Sequence, residues 1–137
     1  MGCRSCFELI NAQDELEATG KAKITPAFNL PSKFVLHTVG PIINKNVSEN
    51  DRTLLADCYR SCLKLAKISG LKSVAFCCIS TGEFRFPNQQ AAEIAVQTVQ
   101  DFLAKNPKMS MIFNVFKEID LAIYQKLLQE KAPAISA

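Results

Sequence analysis

The chain has 137 residues, of which 48% are hydrophobic and 21% are charged, a composition typical of one globular domain. Its 16 basic and 13 acidic residues give a net charge of only +3 and lie scattered along the chain, which argues against a dedicated nucleic-acid surface. No apolar stretch approaches the ~20 residues that span a bilayer, and the N-terminus lacks a signal-peptide pattern. We therefore expect a cytoplasmic protein with no membrane or nucleic-acid partner.

The first half of the chain is predicted to form a helix, two strands and a second helix. The first three predicted elements are a short amphipathic helix at residues 5–17 and strands at 21–25 and 34–39. Ser48 and Asp51 have the spacing of a helix-start capping box, with aspartate in its last position. The helix that follows carries a continuous apolar stripe and is expected to end at Gly70.

The second half alternates strands and helices. Residues 73–79 form an almost unbroken apolar run, as expected for a strand that is covered on both faces. A helix is predicted over residues 89–104 with Asn88 as its N-cap, followed by a strand at 109–116. The apolar face of a terminal helix is predicted to contain Ile119, Ile123, Leu127 and Leu128. We expect the tail at residues 132–137 to be disordered.

Three successive strand–helix units with apolar strands predict a three-layer α/β/α fold, in which a largely parallel sheet carries helices on both faces. We expect a single domain over residues 1–131. In such sheets, ligands bind beyond the carboxyl ends of the strands. The segments predicted to meet there are residues 38–41, 80–86 and 116–120.

The loop between the strand at 73–79 and the next helix is the most informative segment. A loop in this position collects outward-pointing backbone N–H groups and the positive end of a helix dipole. Ser80, Thr81 and Gly82 have small side chains, so an anion can approach their backbone closely. The pattern predicts a phosphate-binding loop, with a plain strand–helix turn as the alternative. A dinucleotide-dependent oxidoreductase is disfavoured, because no Gly-x-Gly-x-x-Gly follows any strand.

The six cysteines are expected to be thiols in a reducing compartment. Four of them are interpreted as small core residues on apolar helix or strand faces: Cys58, Cys62, Cys77 and Cys78. Cys3 and Cys6 have C-x-x-C spacing, but no second pair of ligands is evident. Metal binding by these two cysteines is therefore left open.

Several segments occur together in a familiar order. They are Gly-Lys-Ala-Lys-Ile-Thr at 20–25, Asn-Leu-Pro-Ser-Lys at 29–33, Val-Leu-His-Thr-Val-Gly-Pro at 35–41, Ile-Ser-Thr-Gly at 79–82, Phe-Pro at 86–87 and Phe-Asn-Val-Phe-Lys at 113–117. From about residue 17 to residue 128, the chain thus resembles the macrodomain family. Macrodomains bind ADP-ribose, and many hydrolyse it from proteins. Ser-Thr-Gly-Glu-Phe at 80–84 and Cys-Tyr-Arg-Ser-Cys at 58–62 are most similar to a bacterial zinc-containing subgroup.

The resemblance implies a set of ligand-binding residues: Gly40, Ser80, Thr81, Gly82, Glu83, Phe84 and Phe116. The backbone amides of residues 80–84 would hold the diphosphate through charge-assisted hydrogen bonds. Phe84 would cover the distal ribose, and Gly40 would lie close to that end of the ligand. Phe116 would lie near the adenine.

A complete macrodomain begins with further strands, which carry an aspartate that reads adenine and an asparagine-rich loop. In the zinc subgroup the metal ligands also lie in this part of the chain. Since the sequence shows none of these elements, we expect an N-terminally truncated macrodomain. We expect this chain to have no metal or cofactor of its own, whereas the resemblance implies zinc in the complete parent domain.

The leading hypothesis is recognition of ADP-ribose or of a mono-ADP-ribosylated protein, by a chain whose complete form removes the modification. Little or no hydrolysis is expected from this chain alone, and its status as an enzyme is left open. The alternative is a non-catalytic interaction or remnant α/β domain that self-associates through an exposed sheet edge.

No catalytic residue is assigned from the sequence. Glu83 is the only carboxylate in the loop, and an exposed acid with no direct role is the alternative reading. His37, the only histidine, lies in the middle of a strand and is interpreted as structural. Arg85 either attracts phosphate or faces solvent. Phe86 is interpreted as a core residue, in contrast to Phe84.

Overall fold

The computed structural model describes residues 18–130, in which two strands are followed by three helices that alternate with two further strands. The elements are β1 (Ala22–Pro26), β2 (Phe34–Thr38), α1 (Glu49–Ile68), β3 (Ser73–Phe76), α2 (Asn88–Lys105), β4 (Ser110–Phe113) and α3 (Glu118–Glu130). This order confirms the predicted α/β class. The predicted helix at 5–17 and the predicted tail at 132–137 lie outside the described residues.

Within the described range the strands form two separate two-stranded sheets. β1 and β2 pair antiparallel, because the short connection between them returns the chain directly beside itself. That connection is closed by a hydrogen bond of 3.2 Å from the Ala27 N–H to the Lys33 carbonyl oxygen. β3 and β4 pair parallel, and α2 provides the crossover that parallel strands require. The parallel arrangement predicted from the sequence is thus found in β3 and β4, while β2 pairs with β1 only.

The β3–β4 pair is buried on one face only in the described part of the chain. Its buried side chains are Val74, Phe76, Met111 and Phe113. Ala75 and Ile112 point to the opposite face and are exposed. The apolar run at 73–79 predicted burial on both faces. This prediction is wrong, because Ala75 and Cys77 of that run are exposed. The exposed positions of that run hold the small side chains of Ala75 and Cys77, whose exposure costs little because they present little apolar area.

A row of aromatic rings joins α1 to α3 beneath the ends of β3 and β4. The ring centroids of Tyr59 and Phe76 are 5.0 Å apart, those of Phe76 and Phe113 are 6.2 Å apart, and those of Phe113 and Tyr124 are 4.9 Å apart. Such tilted contacts add to the free energy gained from burying the rings. Because Phe76 and Phe113 are the last residues of their strands, this core supports the edge where the sequence predicted a ligand site.

The predicted capping box at the start of α1 is confirmed. The Asp51 N–H donates to Ser48 Oγ at 3.0 Å, and the Ser48 N–H donates to Asp51 Oδ2 at 2.9 Å. An N-cap of this kind contributes about 1 kcal/mol to helix stability. Both bonds join residues only three positions apart, which explains why the sequence pattern was sufficient to locate them.

Two predicted helix features are wrong. Asn88 is the first residue of α2 and not its cap, since the cap position is taken by Pro87, which makes no side-chain hydrogen bond. Ile119 is 60% exposed, because α3 turns Asp120, Tyr124 and Leu127 toward the core instead. Among the helices of the described range, none has the length and apolar character needed to cross a membrane.

Candidate functional site

Two loops meet beyond the carboxyl ends of β2 and β3. The Ile43 N–H, in the first loop, donates to the carbonyl oxygen of Phe84, in the second loop, at 2.8 Å. Gly40 is buried against the second loop so closely that a Cβ built on it would overlap Ser80 Oγ and lie 2.9 Å from Ile79 Cγ2. Only glycine therefore allows the two loops to approach at this point.

The second loop is held in an unusual backbone conformation by hydrogen bonds of its own. Ser80 has a φ of 66° and Arg85 a φ of 64°, values in the left-handed region that cost energy for residues with a side chain. The Phe86 N–H donates to the Ser80 carbonyl at 2.8 Å, and the Arg85 N–H donates to the Gly82 carbonyl at 3.1 Å. The Thr81 hydroxyl donates to the Cys78 carbonyl at 3.3 Å. These bonds close the loop into a tight turn.

Five consecutive backbone amides in this loop are left without an acceptor among residues 18–130: those of Ser80, Thr81, Gly82, Glu83 and Phe84. Gly82 and Glu83 are exposed, and the space beside Gly82 is open, with no atom within 4 Å of a Cβ built there. Unpaired N–H groups in successive residues of a turn form a binding site for anions. The loop therefore has the donors that the sequence pattern predicted.

A cleft of about 620 Å³ leads from this loop along the strands. Every residue of β2 and of β3 lines it, together with Gly40, Ser80 and Phe84 at the end nearest the loops. Ser80 Oγ is buried and has no hydrogen-bond partner in the described part of the chain. Buried hydroxyl groups are normally paired, so this unpaired oxygen, packed against Gly40, is an exception within the described residues.

The predicted site residues are only partly brought together. Gly40, Ser80 and Phe84 line the cleft, and the residues between Ser80 and Phe84 complete the same loop. Phe116 follows β4 at the same end of the sheet but is 98% exposed and does not line the cleft. Phe86, interpreted from the sequence as a core residue, is 1% exposed, while Arg85 is exposed.

The histidine and the four described cysteines have no arrangement that indicates catalysis. His37 Nε2 lies 2.9 Å from Thr25 Oγ1, and burial lowers the pKa of His37 below its usual value, as fits a structural, neutral imidazole. Burial raises the pKa of the Cys78 thiol to about 11, so at neutral pH it is not the thiolate that a nucleophile requires.

Cys58 and Cys62 are buried, as their helical stripe predicted, but Cys77 is exposed, so its interpretation as a core residue is wrong. Among residues 18–130, no three His, Cys, Asp or Glu side chains are close enough to hold a metal ion. The described residues thus offer no zinc site, and the C-x-x-C pair at Cys3 and Cys6 lies outside them.

A hydrogen bond between Asn88 and Asp120 was missed in the sequence analysis. Asn88 Nδ2 donates to Asp120 Oδ1 at 2.5 Å, and Asp120 is only 5% exposed. The bond ties the residue that begins α2, just after the loop, to the first turn of α3. Because the two residues are far apart in the chain, no local pattern signals the contact.

The comparisons with known proteins agree with this geometry. The family model for the macro domain matches residues 3–95. A protein-ADP-ribose hydrolase from Treponema medium is 60% identical over 124 residues, which are 90% of this chain and 48% of that protein. A protein-ADP-ribose hydrolase from Staphylococcus aureus is 50% identical over 129 residues, 93% of this chain and 48% of that protein. The chain therefore spans about half the length of these curated relatives.

Among solved structures, a macrodomain of Oceanobacillus iheyensis with ADP superposes with a TM-score of 0.84 and 41% identity, over 93% of this chain and 67% of that chain. A Trypanosoma brucei macrodomain in complex with ADP-ribose has a TM-score of 0.72 and 36% identity, over 81% of this chain and 46% of that chain. The loops, the fold and the family match agree, and the chain belongs to the macro domain family.

Proposed function

We propose that this chain binds ADP-ribose through the loop at residues 80–84. The diphosphate accepts hydrogen bonds from the backbone amides of the loop, Phe84 covers the distal ribose beside Gly40, and Phe116 stacks on the adenine. The observation that carries the proposal is the run of five unpaired amides on a loop held in a strained conformation. Strain of this kind is typical of functional sites, where the surrounding structure stabilises it.

The fold comparison supports the same ligand. The two solved macrodomains described above have ADP or ADP-ribose bound, and both ligands contain a diphosphate. Preorganised N–H groups bind a diphosphate more strongly than a neutral ligand because the acceptor is charged. The exposed ring of Phe116 remains available to stack on a base.

Glycine-selective ¹⁵N labelling tests this proposal directly, because the chain has only 5 glycines. On titration with ADP-ribose, the amide resonance of Gly82 is expected to move most and that of Gly40 to move with it. Gly70, at the far end of α1 with open space around it, provides the internal control. No movement of Gly82 at millimolar ADP-ribose, or equal movement of Gly70, would contradict the proposal.

The relatives named protein-ADP-ribose hydrolase support a further step: a protein of these relatives' length that contains this domain hydrolyses ADP-ribose from mono-ADP-ribosylated proteins. For this chain alone we expect release of ADP-ribose from such a protein at the background rate. Hydrolysis at the anomeric carbon requires a positioned base to activate water, and the loop supplies only Glu83, which is exposed. Release clearly above background would overturn this expectation.

We also propose a cytoplasmic location, which the free thiols of the described cysteines support.

A second candidate function is self-association through the sheet edges. Within the described range, β2 and β3 each have one hydrogen-bonded neighbour, and both line the same cleft. Open edges of this kind can accept a strand from another copy of the chain. Sedimentation velocity over a range of concentrations is expected to show a dimer that grows with concentration, and a stable monomer throughout would exclude this function.

A further inference from the structure

The helix that follows the loop at residues 80–84 begins without a cap of its own. Pro87 occupies the cap position of α2 and makes no side-chain hydrogen bond, and the first turn of α2 contains no acidic residue. Helix N-termini are normally stabilised by a side-chain acceptor or by a nearby negative charge. At α2 that charge is supplied from another helix, by Asp120 of α3, which accepts the hydrogen bond from Asn88.

Asp120 is held at this position by its surroundings. It is 5% exposed, and a buried carboxylate is stable only when it is hydrogen-bonded or lies near positive charge. It also belongs to the first turn of α3, so its charge faces the N-terminal ends of two helices. A buried group with such specific requirements fixes the distance between the start of α2 and the start of α3.

One helical turn beyond Asp120, Tyr124 packs against the last residue of β4. Its ring packs on Phe113 with a centroid distance of 4.9 Å. Phe113 in turn packs on Phe76, the last residue of β3, with a centroid distance of 6.2 Å. Since residues i and i+4 lie on the same helix face, one face of α3 bonds to the start of α2 through Asp120 and packs on the end of β4 through Tyr124.

We propose that Asn88 and Asp120 are positioning residues, and that their hydrogen bond holds the loop at residues 80–84 in the conformation that binds the diphosphate. This inference rests on the proposed function for its effect on ligand affinity, but the position of the loop can be measured without any ligand. The pair acts on the loop through Phe86 and Pro87, which connect it rigidly to α2 because Phe86 is buried and proline restricts the backbone.

Asn88→Asp tests the proposal by placing a second carboxylate opposite Asp120. The hydrogen bond is then replaced by repulsion between two acceptors, so the start of α2 moves away from α3 and the loop moves with it. We expect the affinity for ADP-ribose to fall about tenfold. We also expect the Gly82 amide resonance of the ligand-free protein to be displaced, while that of Gly70 remains in place.

The exchanged pair Asn88→Asp with Asp120→Asn is the rescue variant. It restores one donor and one carboxylate at the same two positions and has the net charge of the native chain. We expect its Gly82 resonance and its affinity to return to within about twofold of the native values. A pair that only contributed to overall stability would lower the melting temperature of Asn88→Asp without moving Gly82 in the folded protein.

Gln89→Glu is the matched control, since it makes the same chemical change one residue further along. Gln89 Nε2 donates to Glu93 Oε1 at 3.0 Å, and both residues are exposed on α2. The control adds the same charge near the loop without disturbing the contact with α3, so we expect less than about a twofold change in affinity.

The proposal is overturned if Asn88→Asp leaves Gly82 in its native position, if the exchanged pair fails to return it, or if Gln89→Glu displaces it equally. These outcomes are read in the ligand-free protein. They are therefore separate from a failure of the native chain to bind ADP-ribose, which would count against the proposed function alone.

Discussion

Replacing Gly40 with alanine is expected to weaken ADP-ribose binding by about ten- to a hundredfold while the chain remains folded. The added Cβ would overlap Ser80 Oγ and lie 2.9 Å from Ile79 Cγ2. Forcing an extra methyl group into a packed site costs about 1–3 kcal/mol. The neighbour that must yield is the loop at residues 80–84 itself, so the cost appears as a displaced set of amides. Calorimetric titration with ADP-ribose measures the loss.

Two further variants separate the contact from a general effect of losing glycine. Gly70→Ala imposes a side chain at a φ of 72° with no atom within 4 Å, so it is expected to lower stability by about 1 kcal/mol without changing affinity. Gly40→Ala combined with Ser80→Gly removes the overlapping Oγ and is expected to recover most of the binding. Native affinity in Gly40→Ala alone would show that the close approach of the two loops does not determine the site.

Features that depend on neighbouring residues could be predicted from the sequence. The Ser48–Asp51 capping box joins residues three positions apart, and the turn at 80–84 follows from small residues placed between a strand and a helix. The burial of Cys58 and Cys62 follows from helical periodicity alone. In each case the residues that determine the feature lie within a few positions of one another in the sequence.

Features that depend on distant parts of the chain could not be predicted. Asn88 is a residue type that often caps helices, but its side chain bonds to Asp120 instead. The packing of α3 against α2 brings these two residues together. Ile119 fits an apolar stripe, yet a buried carboxylate takes the inward position. The family resemblance implied that Gly40 lies near the distal-ribose end of the ligand, and its close approach to Ser80 becomes visible only when both loops are in place.

Phe84 and Phe86 are expected to respond to truncation in opposite ways, although only one residue separates them. Phe86 is 1% exposed in the core, so Phe86→Ala should lower the free energy of unfolding by about 3–5 kcal/mol. That is a large share of the about 5–15 kcal/mol that stabilises a typical domain. Phe84 is half-buried at the end of the cleft, and Phe84→Ala should cost no more than about 1 kcal/mol.

The affinity for ADP-ribose should show the reverse order, with the larger loss at Phe84, when the variants are compared under conditions in which they are folded. Phe84→Ala is expected to lower the affinity for ADP-ribose about tenfold through lost contact with the ribose. Phe86→Leu keeps most of the buried volume, so it should remain folded and bind within about threefold of the native chain. Urea denaturation gives the free energies of unfolding, and calorimetry gives the affinities below the transition. If Phe84→Ala binds normally, the ring does not cover the ligand. The proposed position of the distal ribose is then wrong, because Phe84 is the aromatic side chain of the loop that lines the cleft beside Gly40 in the described part of the chain.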